Sequence, residues 1–118
     1  MSLDQHQELR KRTKDFALRI IRMTQAIPST RVANVINNQI LRSATGMAAN
    51  YRAVGLARSR NEFIAKLGVV VEEADETVFW LELLAESGVV KANKLSELLA
   101  EANQLVLIFS ASRRTARA

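Results

Sequence analysis

The sequence predicts an all-α domain, an antiparallel up-down-up-down four-helix bundle, and three observations predict it. The 118 residues are 48% apolar and 25% charged, the balance of one folded domain spanning 1–118 around one core. One Pro, four Gly, four Phe, one Trp and one Tyr provide too little turn chemistry for a sandwich or barrel of many short strands. Apolar residues recur at alternating intervals of three and four through four long segments, and the breaks between them are short enough to make neighbouring helices antiparallel.

Helix one is expected over about 4–26, with Leu9, Thr13, Phe16, Ile20, Met23 and Ile27 on its inner face. Pro28 ends it, because the residue before a proline is driven out of the helical region. Ser29 or Thr30 can cap helix two, about 30–57, whose inner face carries Val32, Ile36, Ile40, Met47 and Tyr51. Ser59-Arg60-Asn61-Glu62 reads as a capping box that opens helix three, about 60–87, with a seam of Phe63, Leu67, Val70, Ala74, Leu81 and Leu84. The Val69-Val70-Val71 run is β-like in composition but stays in helical register. Gly88 stands where a left-handed C-cap is wanted, and helix four, about 92–113, carries Leu95, Leu98, Leu99, Ala102, Leu105, Val106 and Phe109.

Helix three is apolar beyond its seam. At 100° per residue Val69, Phe79, Trp80 and Leu83 point elsewhere, and Leu18, Ile21 and Leu41 also leave their own seams. A monomer would leave them wet, so a subunit interface through Phe79, Trp80 and Leu83 is expected.

Charge is unevenly distributed. The first 61 residues hold eleven Lys or Arg against three acids, residues 62–112 hold three against nine, and the tail adds Arg113, Arg114 and Arg117. Such an asymmetry implies either an anionic partner or pairing with the acidic second half. The cluster Arg10, Lys11, Arg12 and Lys14, with Arg19 and Arg22, is the candidate nucleic-acid surface. With one Trp and one Tyr for stacking, phosphate contact without sequence preference is the form expected.

Other chemistry is excluded or unsupported. No Cys means no disulfide framework, no thiolate catalysis and no Cys-based metal site, and fits a cytoplasmic setting. His6, the one histidine, falls in the first turn, where a solvated or capping role is expected. Helix three presents Glu72, Glu73, Asp75, Glu76 and Glu82, but a di-iron bundle needs Glu-x-x-His and no such His exists. The four glycines stand alone, without a phosphate loop. No apolar run approaches the roughly 20 residues that span a bilayer, and the charged N-terminal segment is unlike a secretory signal. No cofactor, metal or membrane association is expected, and no enzyme.

The least ordinary residues lie in helix two and the start of helix three. A helical wheel puts Gln39, Ser43, Gly46 and Asn50 on the inner side with Val32 and Ile36, where small residues admit a close neighbour and amides could bond across, or where a ligand pocket could form. If helices two and three turn near Ala57 and Arg58, Arg42 comes level with Glu73 and Gln39 with Glu76. A buried Arg42 pair is then expected, because a guanidinium fork holds two carboxylate oxygens.

The segment Gln39 to Tyr51, followed by Arg58-Ser59-Arg60-Asn61-Glu62-Phe63 and the later glutamates, resembles the four-helix-bundle family of the 23S rRNA intervening-sequence proteins. It departs where many members have Asn-Ile-Ala-Glu-Gly, since this chain has Asn50-Tyr51-Arg52-Ala53-Val54. The resemblance implies an antiparallel bundle assembling into a ring-like homopentamer, without known enzymatic activity and with a role on nucleic acid. The related accessory proteins of diversity-generating retroelements, also pentamers of such bundles, work beside a reverse transcriptase. The combined expectation is a non-enzymatic, homo-oligomeric module that binds RNA or DNA, or a nucleic-acid enzyme, through basic helix faces. The alternative is a protein-protein adaptor or scaffold with solvated arginines.

Overall fold

Ser2 caps the first helix, which begins at Leu3, one residue before the expected start. Its hydroxyl accepts from the Gln5 backbone N–H at 3.1 Å while the Gln5 side chain accepts from the Ser2 N–H at 2.9 Å, a complete capping box. The computed structural model describes residues 2–118 and contains four helices: α1 (Leu3–Gln25), α2 (Arg31–Val54), α3 (Arg60–Glu86) and α4 (Ala92–Arg117). Thr30 caps α2 by accepting from the Ala33 N–H. Two i→i+3 bonds, from the N–H groups of Leu56 and Ala57 to the carbonyls of Ala53 and Val54, close α2 at Val54 rather than 57. Ser59 caps α3 through the Glu62 N–H, but only half of the expected box forms. The Glu62 carboxylate turns instead to Arg58 at 3.7 Å and Lys66 at 3.9 Å.

Gly88, with φ of 78°, ends α3 in the left-handed region that a Cβ disfavours, and its N–H reaches the Ala85 carbonyl. Helix α4 runs four residues past the expected end at 113. Nothing in its last turn breaks a helix, and Arg60 donates to the Ala116 and Ala118 carbonyls, which have no partner within α4.

The helices follow one another around a single core. α1 packs on α2, α2 on α3 and α3 on α4, while the backbones of α1 and α4 approach least among neighbours and the diagonal helices α2 and α4 meet through core side chains, Tyr51 against Phe109. This is the order of an up-down bundle, 44 Å long and 21 Å across. The core holds Phe16, Ile20, Ile40, Met47, Tyr51, Leu67, Val70, Leu81, Leu84, Leu95, Leu105 and Phe109. Val32 is a correction: it is 54% exposed, because α2 centres its inner face on Ala33, Ile36 and Ile40 and turns Val32 to the edge. Where α1 and α4 part, a groove of about 850 Å³ opens over Leu9, Phe16, Phe63 and Ile108.

Candidate nucleic-acid interface

The helix order brings Arg42 to α3. Its guanidinium donates to both Glu73 carboxylate oxygens at 3.4 Å and to Glu76 Oε1, while its Nε donates to Gln39 Oε1 at 3.3 Å. Glu76 Oε1 also accepts from Trp80 Nε1 at 3.2 Å. The partners are those the register predicts, but the expected burial is absent: the Arg42 side chain is 50% exposed. It lies along the outer edge of the α2–α3 seam rather than inside it.

Beneath it, Ser43 and Thr77 are fully buried with their hydroxyl oxygens 2.8 Å apart. Gly46 leaves room for the Glu73 carboxylate, since a Cβ there would stand 2.7 Å from Oε2. The expectation of amides bonding across the helices is corrected. Asn50 donates to the Gly46 carbonyl and Gln39 accepts from Arg42, both within α2, and both amides are only half-buried at the seam's edge. The hydroxyl pair makes the buried crossing instead.

On α1 the six candidate cations divide into two groups. Lys11 pairs with Asp15 at 2.8 Å. Arg12 reaches α4, where Nε and Nη2 grip the two Glu101 oxygens at 2.8 and 2.7 Å and Nη2 also donates to Gln104. That hydrogen bond holds the Glu101 carboxyl below its ordinary pKa and raises that of Arg12. Arg19 stands 4.0 Å from Glu97. Half of the candidate nucleic-acid surface is therefore engaged by acids, Lys11 by Asp15 of its own helix and Arg12 and Arg19 by Glu101 and Glu97 of α4. Arg10, Lys14 and Arg22 have no ion pair among the described residues.

Arg10 and Lys14 join Arg52 of α2 around a groove of about 500 Å³, with Lys11 and Gln7 at its rim and Ala48 and Ala49 among its lining. No acid lines it. Arg52 was missing from the sequence-predicted set; it stands one turn after Ala48, and pairing α1 with α2 would have exposed it.

His6 is also corrected. Rather than lying solvated, its ring sits 5.0 Å from that of Tyr51, with Nδ1 3.0 Å from the phenol oxygen, and Tyr51 in turn stacks 4.8 Å from Phe109. Gly55 makes space for it, since a Cβ there would fall 2.5 Å from His6 Nε2. Burial, then the Arg10 charge, lowers the His6 pKa, and burial pushes the Tyr51 phenol up to about 12. Of the expected interface residues Phe79 is 49% exposed, while Trp80 and Leu83 are half-buried. Among the described residues no three acidic, His or Cys side chains gather as metal ligands, and no helix is long and apolar enough to cross a membrane.

Four antiparallel helices around one core, joined by a surface Arg-carboxylate clamp and grooved by unpaired cations, define a small helical-bundle module. The chain belongs to the 23S rRNA-intervening sequence protein family, whose profile matches residues 5–111. Its structure is similar to that of a protein of unknown function from the S23 ribosomal protein family of Bacteroides thetaiotaomicron VPI-5482, with a TM-score of 0.85 and 28% identity over 92% of this chain and 97% of that one. No curated protein matches.

Proposed function

We propose that the protein is a non-enzymatic, homo-oligomeric helical module that binds the phosphate backbone of nucleic acid through the α1–α2 groove. The observation that carries this reading is the groove's composition: Arg10, Lys11, Lys14 and Arg52 line it, no acid does, and only Lys11 has an ion pair among the described residues. Cations without internal partners release counterions from a phosphate backbone at no cost in broken salt bridges. Ala48 and Ala49 offer no base-reading groups, so binding is sequence-tolerant. Family resemblance supports a ring of five, with Phe79, Trp80 and Leu83 between subunits, and a ring repeats the groove and multiplies weak contacts. A cytoplasmic setting, beside RNA, DNA or an enzyme that handles them, accords with this role.

A salt titration of binding to non-specific duplex and single strands tests the reading. Replacing Arg10, Lys14 and Arg52 together with Gln removes about three phosphate contacts and flattens the log-log slope by roughly 2 to 3. Arg12→Gln leaves the slope unchanged, because that cation is held by Glu101. Absence of binding to either form at about 50 mM salt, where such contacts are strongest, overturns the reading in favour of a protein-protein adaptor.

A further inference from the structure

Two apolar patches on this molecule carry opposite charge around them. The first lies on α3, where Phe79 packs edge-on against Trp80 at 4.9 Å and Leu83 follows one turn later. Val35, 57% exposed, extends the patch: it lies two turns from Arg42 on the same face of α2, and Arg42 reaches Glu76, one turn before Trp80. Around this patch α3 carries six acids between Glu72 and Glu86 and no Lys or Arg. Only Glu73 and Glu76 of the six have ion pairs among the described residues.

The second patch lies between α1 and α2. Lys14 and Ala48 line one groove, so Leu18, one turn after Lys14, and Leu41, two turns before Ala48, stand within about one turn of each other on adjacent helices. Leu18 is 38% exposed, and Ile21 and Leu41 are half-buried. The rim here is basic, formed by Lys14 and the exposed, unpaired Arg22.

We propose that these patches meet head to tail, the Phe79–Trp80–Leu83 patch of one copy seating on the Leu18–Ile21–Leu41 patch of the next. This rests on the self-association read above and names the two surfaces that make it. Charge complementarity selects a second copy as the occupant, because α3 acids without ion pairs among the described residues border one patch and the exposed, unpaired Arg22 of α1 borders the other. The heights agree as well. Measured from the end where α1 and α3 begin, Leu18 lies about 22 Å along α1 and Phe79 about 28 Å along α3, an offset of about one turn. The same offset sets Arg22 against Glu82.

Geometry then makes the contact close. The two patches occupy adjacent faces of a four-sided bundle, with α2 at the shared corner. Faces meeting at about 90° close a head-to-tail ring at four copies, and narrowing the angle to about 72° closes it at five. Cyclic symmetry keeps every bundle pointing the same way, so all the α1–α2 grooves fall at one end of the ring.

The chain contains no cysteine, so introduced ones are unique. Leu18→Cys and Phe79→Cys chains, mixed under mild oxidation, form a cross-linked pair at least about tenfold faster than Leu107→Cys with Phe79→Cys, Leu107 being 69% exposed on the outer side of α4. Both changes in one chain give a ladder that stops at the subunit number. Glu82→Lys weakens assembly about tenfold or more by setting like charges together, and Arg22→Glu in the same chain restores it, with unchanged helical circular dichroism throughout. An oligomer whose 18–79 link forms no faster than the control overturns this pairing and leaves the nucleic-acid reading standing. A monomer by light scattering overturns both the pairing and the self-association beneath it.

Discussion

Ser43 Oγ and Thr77 Oγ1 lie 2.8 Å apart between α2 and α3, both side chains fully buried in an otherwise apolar layer. Each hydroxyl has one hydrogen, and backbone carbonyls are in reach of both: Glu73 at 2.8 Å from Thr77 and Ile40 at 3.3 Å from Ser43. One hydroxyl therefore donates to the other, which donates to its own helix. Thr77→Val leaves Ser43 facing a methyl group and costs about 1 to 3 kcal/mol, whereas adding Ser43→Ala removes the stranded hydroxyl and recovers part of the loss. A double-mutant cycle by urea unfolding reads this directly; additive losses would show that the pair is not coupled.

The Arg42 clamp behaves differently because it is half exposed. Its guanidinium touches Glu73, Glu76 and Gln39, but solvent screens it, so Arg42→Ala costs about 1 kcal/mol rather than the several expected of a buried pair. Gly46 belongs to the same arrangement, since a Cβ there crowds Glu73 Oε2. Gly46→Ala in the native chain is close to neutral, gaining helix propensity and displacing the carboxylate. In a Glu73→Ala background it stabilises by about 1 kcal/mol, the propensity gain alone. Equal effects in both backgrounds would remove Glu73 as the reason for the glycine.

Local chemistry and periodicity made the four helices legible, because caps, Pro28 and Gly88 act within a turn of themselves. The α2–α3 register was legible too, since Arg42 has few acids within reach. What stayed hidden depends on which helix lies beside which. Glu101 is 89 residues from Arg12, and no local pattern links them. His6 looked solvated because its packing surface, Tyr51, belongs to another helix and its space comes from Gly55. The same blindness concealed Arg52, whose position matters only once α1 lies alongside α2.

Two titrations bracket the pH range of greatest stability. Folding lowers the proton affinity of His6, so the unfolded chain takes up that proton first as pH falls below about 6.5. The His6 contribution is complete above that value and is lost downward. Tyr51 acts at the other end. Its phenol holds the proton to about 12 in the fold against 10.0 when exposed, so its contribution is complete below about 10 and is lost as pH rises toward 12. His6→Gln flattens the acid limb of a Tm–pH profile and leaves the alkaline limb intact. A tyrosinate absorbance titration midpoint near 10 in the folded protein would contradict the burial of Tyr51.

The last prediction concerns which helix opens first. α1 packs on α2 along one side, but on the other it faces the 850 Å³ groove and reaches α4 through Arg12 on Glu101 and Gln104 and, at 4.0 Å, Arg19 on Glu97. Sparse contact with α4 and a clasp made mainly of charged side chains make a low-stability edge, so amide exchange is faster in α1 than in α3, which packs against helices on both sides. Arg12→Gln accelerates exchange through α1 further and leaves the α2–α3 core protected. Acid does the same without mutation. Glu101 has a depressed pKa in the fold, so the clasp is complete above the ordinary carboxylate value of 4.5 and is lost as pH falls through the lower folded value. Uniform protection across all four helices, or an Arg12→Gln effect spread evenly over them, would show that the bundle opens as one unit and that the clasp is only a surface pair.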